Sequence, residues 1–249
     1  MRALLVRAGL VAAGGACVVA LGSAAPLLLR ELPSFRVTSV EVTGAHWLLP
    51  GDALKASGID RRANVFDDPA PWLARLRAHP LVEDAHIERR LPATLRLHIR
   101  EAVPVALART PELRPVDARG RVLPMNPAGL DLDLPVLGSV SRPDAAGRLS
   151  DDESLSLLEA LTAVIALEPG LATLISEALP EGDGTVRLRL RSPAGAELIV
   201  PRRPDPLRLR EMRLALADLE RRDELTRLRR MDARYEDQLV VALGPKETK

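Results

Sequence analysis

Cysteine occurs once in 249 residues, at Cys17. An internal disulfide is therefore excluded, and so is a metal site built on several thiolates. Aromatic residues make up only 2 % of the chain. Proteins that hold single-stranded nucleic acid stack bases on aromatic rings, and nucleic-acid binders in general carry a basic excess. Here 35 Lys and Arg stand against 34 Asp and Glu, so no nucleic-acid partner is expected. The four histidines, His46, His79, His86 and His98, lack the close spacing of a zinc-binding helix. No serine sits in a nucleophile elbow or an S-x-x-K pattern. Phosphate-cradling glycine loops are missing too. Asp117, Asp131 and Asp133 are better read as turn caps than as a catalytic carboxylate pair. The chain offers no catalytic residue, no metal ligand and no cofactor site.

The N-terminus does carry a long apolar run. Residues 8–29, "AGLVAAGGACVVALGSAAPLLL", contain no charge over 22 positions. At 1.5 Å per residue such a helix spans about 30 Å of hydrocarbon. Arg2 and Arg7 precede it, and the positive-inside tendency puts that end in the cytoplasm. The rival reading is a cleavable signal peptide, with "LGSAAP" as its small-residue cut site. The run is longer than the roughly 7–15 residues of an ordinary signal core, which favours an anchor. The "GG" within it is the usual small-residue face of a membrane helix. Either way the rest of the chain is extracytoplasmic.

Residues 35–44, "FRVTSVEVTG", alternate β-branched positions and read as a strand. Pro50 and Asp52 open a helix that Gly58 ends. In "DDPAPWLARLRAHP", Asp68 caps, Pro69 lies in the first turn, and Trp72, Leu73 and Leu76 fall at helical spacing until Pro80. Two strands follow, joined around Pro92, with Leu95, Leu97 and Ile99 inward and Arg96, His98 and Arg100 outward. The order strand, helix, helix, strand, strand predicts a small sheet with both helices on one face.

Further on, "DARG" predicts a hairpin turn with Gly120 at positive φ. "LDLPVLGS" adds a short extended piece. Residues 150–168 read as a helix with Leu155, Leu158, Leu161 and Ile165 as its apolar stripe, Asp151 and Asp152 favouring its start. "TVRLRLRS" and "AELIVP" read as a hairpin. Its Arg187, Arg189 and Arg191 share one face, a solvated row or a seat for an acidic partner segment. Residues 207–230 read as one charged helix with Met212, Leu216 and Leu219 on its apolar side. "MDARYEDQLVVALG" reads as a single last strand, ended by Gly244 and Pro245.

Together, "FRVTSVEVTG…WLARLRAHPLVEDAHIERRLPATLRLHIREAVPVAL", "VDARGRVLP" and "MDARYEDQLVV" resemble, in order and spacing, the FtsQ/DivIB family of cell-division proteins. The resemblance covers nearly the whole chain. It implies an α+β fold class. A single N-terminal transmembrane helix is followed by a POTRA domain (β-α-α-β-β) and then a mixed β domain with flanking helices. The expected boundaries are a cytoplasmic tail at 1–7, the membrane helix at 8–29, the POTRA domain at 35–104, the β domain at 105–243 and a disordered tail at 244–249. It further implies a non-enzymatic scaffold of the inner membrane at the division septum. Its partners are the bitopic membrane proteins FtsB and FtsL, and through them the septal peptidoglycan synthesis machinery.

In that family the final strand of the β domain pairs with a segment of FtsB. Carried over to this chain, Asp232, Arg234 and Tyr235 fall on the family's D-x-R-Y motif, with Tyr235 as a partner-contact residue. Glu236, Asp237, Gln238, Leu239, Val240 and Val241 continue the paired edge. Strand addition also makes sense from the residues alone, since an edge strand offers unpaired N–H and C=O groups. Tyr235 is the single tyrosine, and its ring gives contact area at low entropic cost. The bland alternative is a half-buried tyrosine that merely finishes the sheet. The sequence departs from the family in having Leu243 where a late aromatic is common, and in its very short N-terminal tail. The alternative class is a POTRA adaptor for outer-membrane export. That class would continue into many amphipathic barrel strands, whereas strong helices follow here. A membrane-anchored cell-wall hydrolase lacks any metal or nucleophile constellation.

Overall fold

The computed structural model describes residues 32–127, 132–235 and 237–245. The apolar run at 8–29, Glu236 and residues 246–249 lie outside the described residues. Among the described residues, no helix is long and apolar enough to cross a membrane. The chain divides into two compact units, one ending at Glu101 and the other beginning at Ala102.

In the first unit, β1 (Ser39–Thr43), α1 (Pro50–Ser57), α2 (Ala70–Ala78), β2 (Val82–Arg90) and β3 (Thr94–Glu101) follow in the predicted order. The sheet order is β1-β3-β2, with β1 parallel and β2 antiparallel to β3. The chain passes through a short 3-10 turn at Pro33–Phe35 before β1, so the strand begins later than the alternation suggests. Gly58 ends α1 in the left-handed conformation at φ 69°, which only glycine adopts without strain. The Asp68 carboxylate accepts the Ala70 N–H at 3.0 Å, just before α2. Leu95, Leu97 and Ile99 are buried at 1 %, 0 % and 5 % exposure and pack the sheet on its helices.

One charged residue shares that inward register. Glu101 ends the row 95, 97, 99, 101 and is buried. Its carboxylate accepts the N–H groups of His46 at 2.9 Å, Trp47 at 3.1 Å and Leu48 at 2.7 Å. A buried carboxylate is tolerable only with such partners. Glu101 thereby fixes the loop between β1 and α1. On the opposite face of the sheet, His98 bonds Thr43 Oγ1 and Glu88 Oε2, each at 3.0 Å, and stacks on His86.

The second unit is an eight-stranded sheet among the described residues. Its strands are β4 (Pro104–Arg109), β5 (Leu113–Asp117), β6 (Val136–Leu137), β7 (Ile175–Gly182), β8 (Thr185–Leu190), β9 (Glu197–Pro201), β10 (Leu228–Asp232) and β11 (Val240–Leu243). Their spatial order is β11-β10-β9-β8-β7-β6-β4-β5. Helices α3 (Asp152–Leu167), α4 (Pro169–Ala172) and α5 (Pro206–Arg221) complete the unit. Leu157, Leu158, Leu161 and Val164 of α3 pack with Leu209, Met212, Leu216 and Leu219 of α5 and with Leu188, Leu198 and Met231 in one core. The predicted stripe of α3 is rotated: Leu155 and Ile165 are only half-buried, while Leu157 and Val164 carry the contact.

Two other elements differ from expectation. α5 stops at Arg221 rather than 230, because Asp223 takes φ 57° and the chain turns back. β7 was not evident in the sequence and pairs with β8 along its length. Arg187 and Arg189 of β8, and Arg191 just beyond it, are all ion-paired within this unit. Arg187 Nε lies 2.6 Å from Glu181 and Arg189 Nη1 2.5 Å from Glu177. Arg191 reaches Asp133 at 2.5 Å, and Arg230 reaches Glu181 at 2.9 Å. The row is a neutralised ionic ladder that already holds its acids.

Candidate docking edge

The residues predicted as one last strand form a hairpin instead. β10 runs between β9, to which it is parallel, and β11, to which it is antiparallel. Asp232 opposes Val240, Met231 opposes Val241, Arg230 opposes Ala242 and Leu228 opposes Leu243. The single-strand expectation fails because residues 233–239 must turn. Ala233 N–H donates to Ile199 O at 2.9 Å, and beyond it the chain leaves the β9 ladder.

Asp232 is therefore an interior residue, 7 % exposed and paired through its backbone on both sides. Its carboxylate organises the turn. Arg234 binds it with Nε at 2.9 Å from Oδ1 and Nη2 at 2.6 Å from Oδ2, and the Arg234 N–H adds a bond of 3.1 Å. Such a fork-on-carboxylate pair is geometrically rigid. Arg234 holds the Asp232 carboxyl below its ordinary value, against the opposing effect of burial. The Arg234 guanidinium carbon stands 6.0 Å from the Tyr235 ring centroid, and Tyr235 is 44 % exposed. The motif residues thus form one cluster, with the aspartate inside, the arginine half-covered and the ring presented to solvent.

Asp237 and Gln238 are exposed in the turn, while Leu239 packs against the core. All four residues of β11 are exposed, with Val240 at 43 %, and Val241 and Leu243 at 38 % each. Gly244 N–H donates inward to Arg227 O at 2.7 Å. Alternation along the strand then turns the N–H groups of Val240 and Ala242 inward and those of Val241 and Leu243 outward. Among the described residues nothing pairs with that outer side. The opposite edge of the sheet is different. Along β5, Val116 bridges Val122, the Asp117 N–H donates to Arg121 O, and Leu123 N–H donates to Pro115 O. Residues 121–123 so close one edge and leave the other open. The docking segment expected from the sequence ends at Val241, whereas the exposed strand β11 runs on through Ala242 to Leu243. The unbroken apolar run "LVVAL", ended by Gly244 and Pro245, was the available signal.

Comparison with known proteins agrees with this architecture. Residues 35–102 match the family model of the POTRA domain, FtsQ-type. The cell division protein FtsQ of Rhodothermus marinus is 34 % identical over 214 residues, covering 84 % of this chain and 71 % of that protein. The chain belongs to the FtsQ family. The FtsQ proteins of an Anaeromyxobacter species and of Myxococcus fulvus are also similar, at 32 % over 129 residues and 26 % over 189 residues. Those matches span 44 % and 66 % of the respective relatives. Membership in the FtsQ family gives the chain a role in cell division.

Proposed function

We propose that the protein is a non-catalytic divisome scaffold that captures FtsB, and FtsL with it, by strand addition at β11. The observation that carries this reading is the asymmetry of the larger sheet. Its β5 edge is covered by residues 121–123, whereas β11 presents outward N–H groups at Val241 and Leu243 beside exposed apolar side chains. An added strand satisfies those backbone groups and buries Val240, Val241 and Leu243. Tyr235 extends the contact at the turn, where Arg234 and Asp232 hold it in place. Asp232 acts here as a positioning residue and does not itself touch the partner. The run at 8–29 serves as a single-pass anchor in the inner membrane, with domains 35–104 and 105–243 outside the cytoplasm. Through FtsB and FtsL the scaffold supports septal peptidoglycan synthesis.

The test is co-purification of the full chain with the FtsB-type protein of the same organism. Val241→Pro removes an outward donor on an exposed strand and leaves the inward ladder of β11 intact. Combined with Tyr235→Ala, it is expected to abolish capture. Undiminished capture by that double variant refutes the strand-addition reading.

A further inference from the structure

The open edge runs into a cleft lined by charged residues. Arg222, Asp223, Glu224, Arg227, Arg229 and Pro245 line a depression of about 550 Å³ where β11 ends. Its lining carries three arginines beside the carboxylates of Asp223 and Glu224. Two of the arginines are engaged. Arg222 Nε lies 2.7 Å from Asp218 Oδ2. Arg227 lies 2.5 Å from Glu224 Oε1 and also donates to Gly244 O at 3.2 Å.

Arg229 has no such partner among the described residues, and it is exposed. It is also the extra residue of a β-bulge, since the β10–β11 register shifts between Leu228 and Arg230. Bulges re-aim side chains at sheet edges. Gly244 makes room for this one: a Cβ at that position would stand 2.9 Å from Arg229 Nε. The guanidinium therefore lies against the backbone at the point where the free edge stops.

We propose that Arg229 is a carboxylate anchor for the strand added at β11. The partner segment would carry an Asp or Glu flanking its paired run, at the end lying beside Leu243. This rests on the strand-addition reading and names the chemistry of its partner. Main-chain pairing is indifferent to sequence, so a site that depends on it needs side-chain selection. An unpaired planar fork beside the last outward N–H supplies that selection, because guanidinium matches carboxylate geometry. Before capture, the same free charge discourages adventitious pairing of the open edge.

The experiment uses the full chain in nanodiscs and the extracytoplasmic segment of the FtsB-type protein as probe. Arg229→Ala is expected to weaken binding about 3-fold and Arg229→Glu about 10-fold or more at low salt, both differences shrinking at high salt. Thermal unfolding should not move, since Arg229 is exposed. Replacing the flanking acid of the probe by Lys should impair binding to the parent chain and restore it with Arg229→Glu. If Arg229→Glu binds like the parent chain while Val241→Pro abolishes binding, the anchor is refuted and strand addition stands. If Val241→Pro binds normally, strand addition fails and takes the anchor with it.

Discussion

Replacing Glu101 should selectively destabilise the first unit. Its carboxylate is the acceptor for three consecutive N–H groups at His46, Trp47 and Leu48. Hydrogen bonds to a charged group contribute about 1.5–3 kcal/mol each. His46 is exposed, so water can replace its bond, whereas Leu48 is buried and Trp47 half-buried. About two bonds are then lost without replacement in Glu101→Ala, for a cost of roughly 3–5 kcal/mol. Glu101→Gln keeps one acceptor oxygen but turns an NH2 group toward the remaining donors, and should cost about 2 kcal/mol or more. The assay is urea unfolding followed by tryptophan fluorescence. Trp47 and Trp72 are the only tryptophans, and both lie in the unit that ends at Glu101. A Glu101→Gln variant whose midpoint matches the parent protein would refute the idea that this carboxylate holds the loop.

Other perturbations separate the remaining interactions. Gly44→Ala should destabilise by more than about 2 kcal/mol in the same assay, because Gly44 has φ 78° and a Cβ would meet Ile99 O at 2.2 Å. Leu161→Ala should cost about 2–5 kcal/mol of the second unit's stability, as Leu161 is fully buried between α3 and the sheet; calorimetry checks it. Glu181→Ala removes the carboxylate shared by Arg187 and Arg230. Its effect should stay near 1 kcal/mol or less and shrink further in high salt. Asp232 is held below its ordinary value by Arg234 when folded, so its contribution is complete above the unfolded value near 3.9 and is lost as pH falls through the folded value. Asp232→Asn should accordingly flatten the fall in thermal stability below about pH 4 relative to the parent chain.

The first unit was readable because its signals are local and agree with one another. Pro50 and Gly58 bracket α1, and the parity of Leu95, Leu97 and Ile99 sets the inner face of β3. Carrying that parity one step further would have placed Glu101 inside, which its charge argued against. In the second unit, local and tertiary preferences conflict. Residues 222–230 are rich in good helix formers, yet Leu228 and Met231 are claimed by β9 and β11 pairing. The break at Asp223 depends on a positive φ that an aspartate does not advertise. β7 resisted recognition because "ISEALPEG" contains a proline and polar residues that the ionic ladder absorbs only once β8 is beside it. Of the predicted docking residues, the D-x-R-Y cluster was legible from resemblance. That Asp232 lies inside and Val240 and Val241 outside follows from the turn at 233–239, whose location the alternation did not reveal.

Amide hydrogen exchange across β11 tests the central claim most directly. The N–H groups of Val241 and Leu243 face outward in the free protein, while those of Val240 and Ala242 face β10. Binding of the FtsB-type partner should slow exchange at Val241 and Leu243 far more than at their inward neighbours. Tight binding with Val241 and Leu243 still exchanging at their free rates would contradict strand addition at this edge.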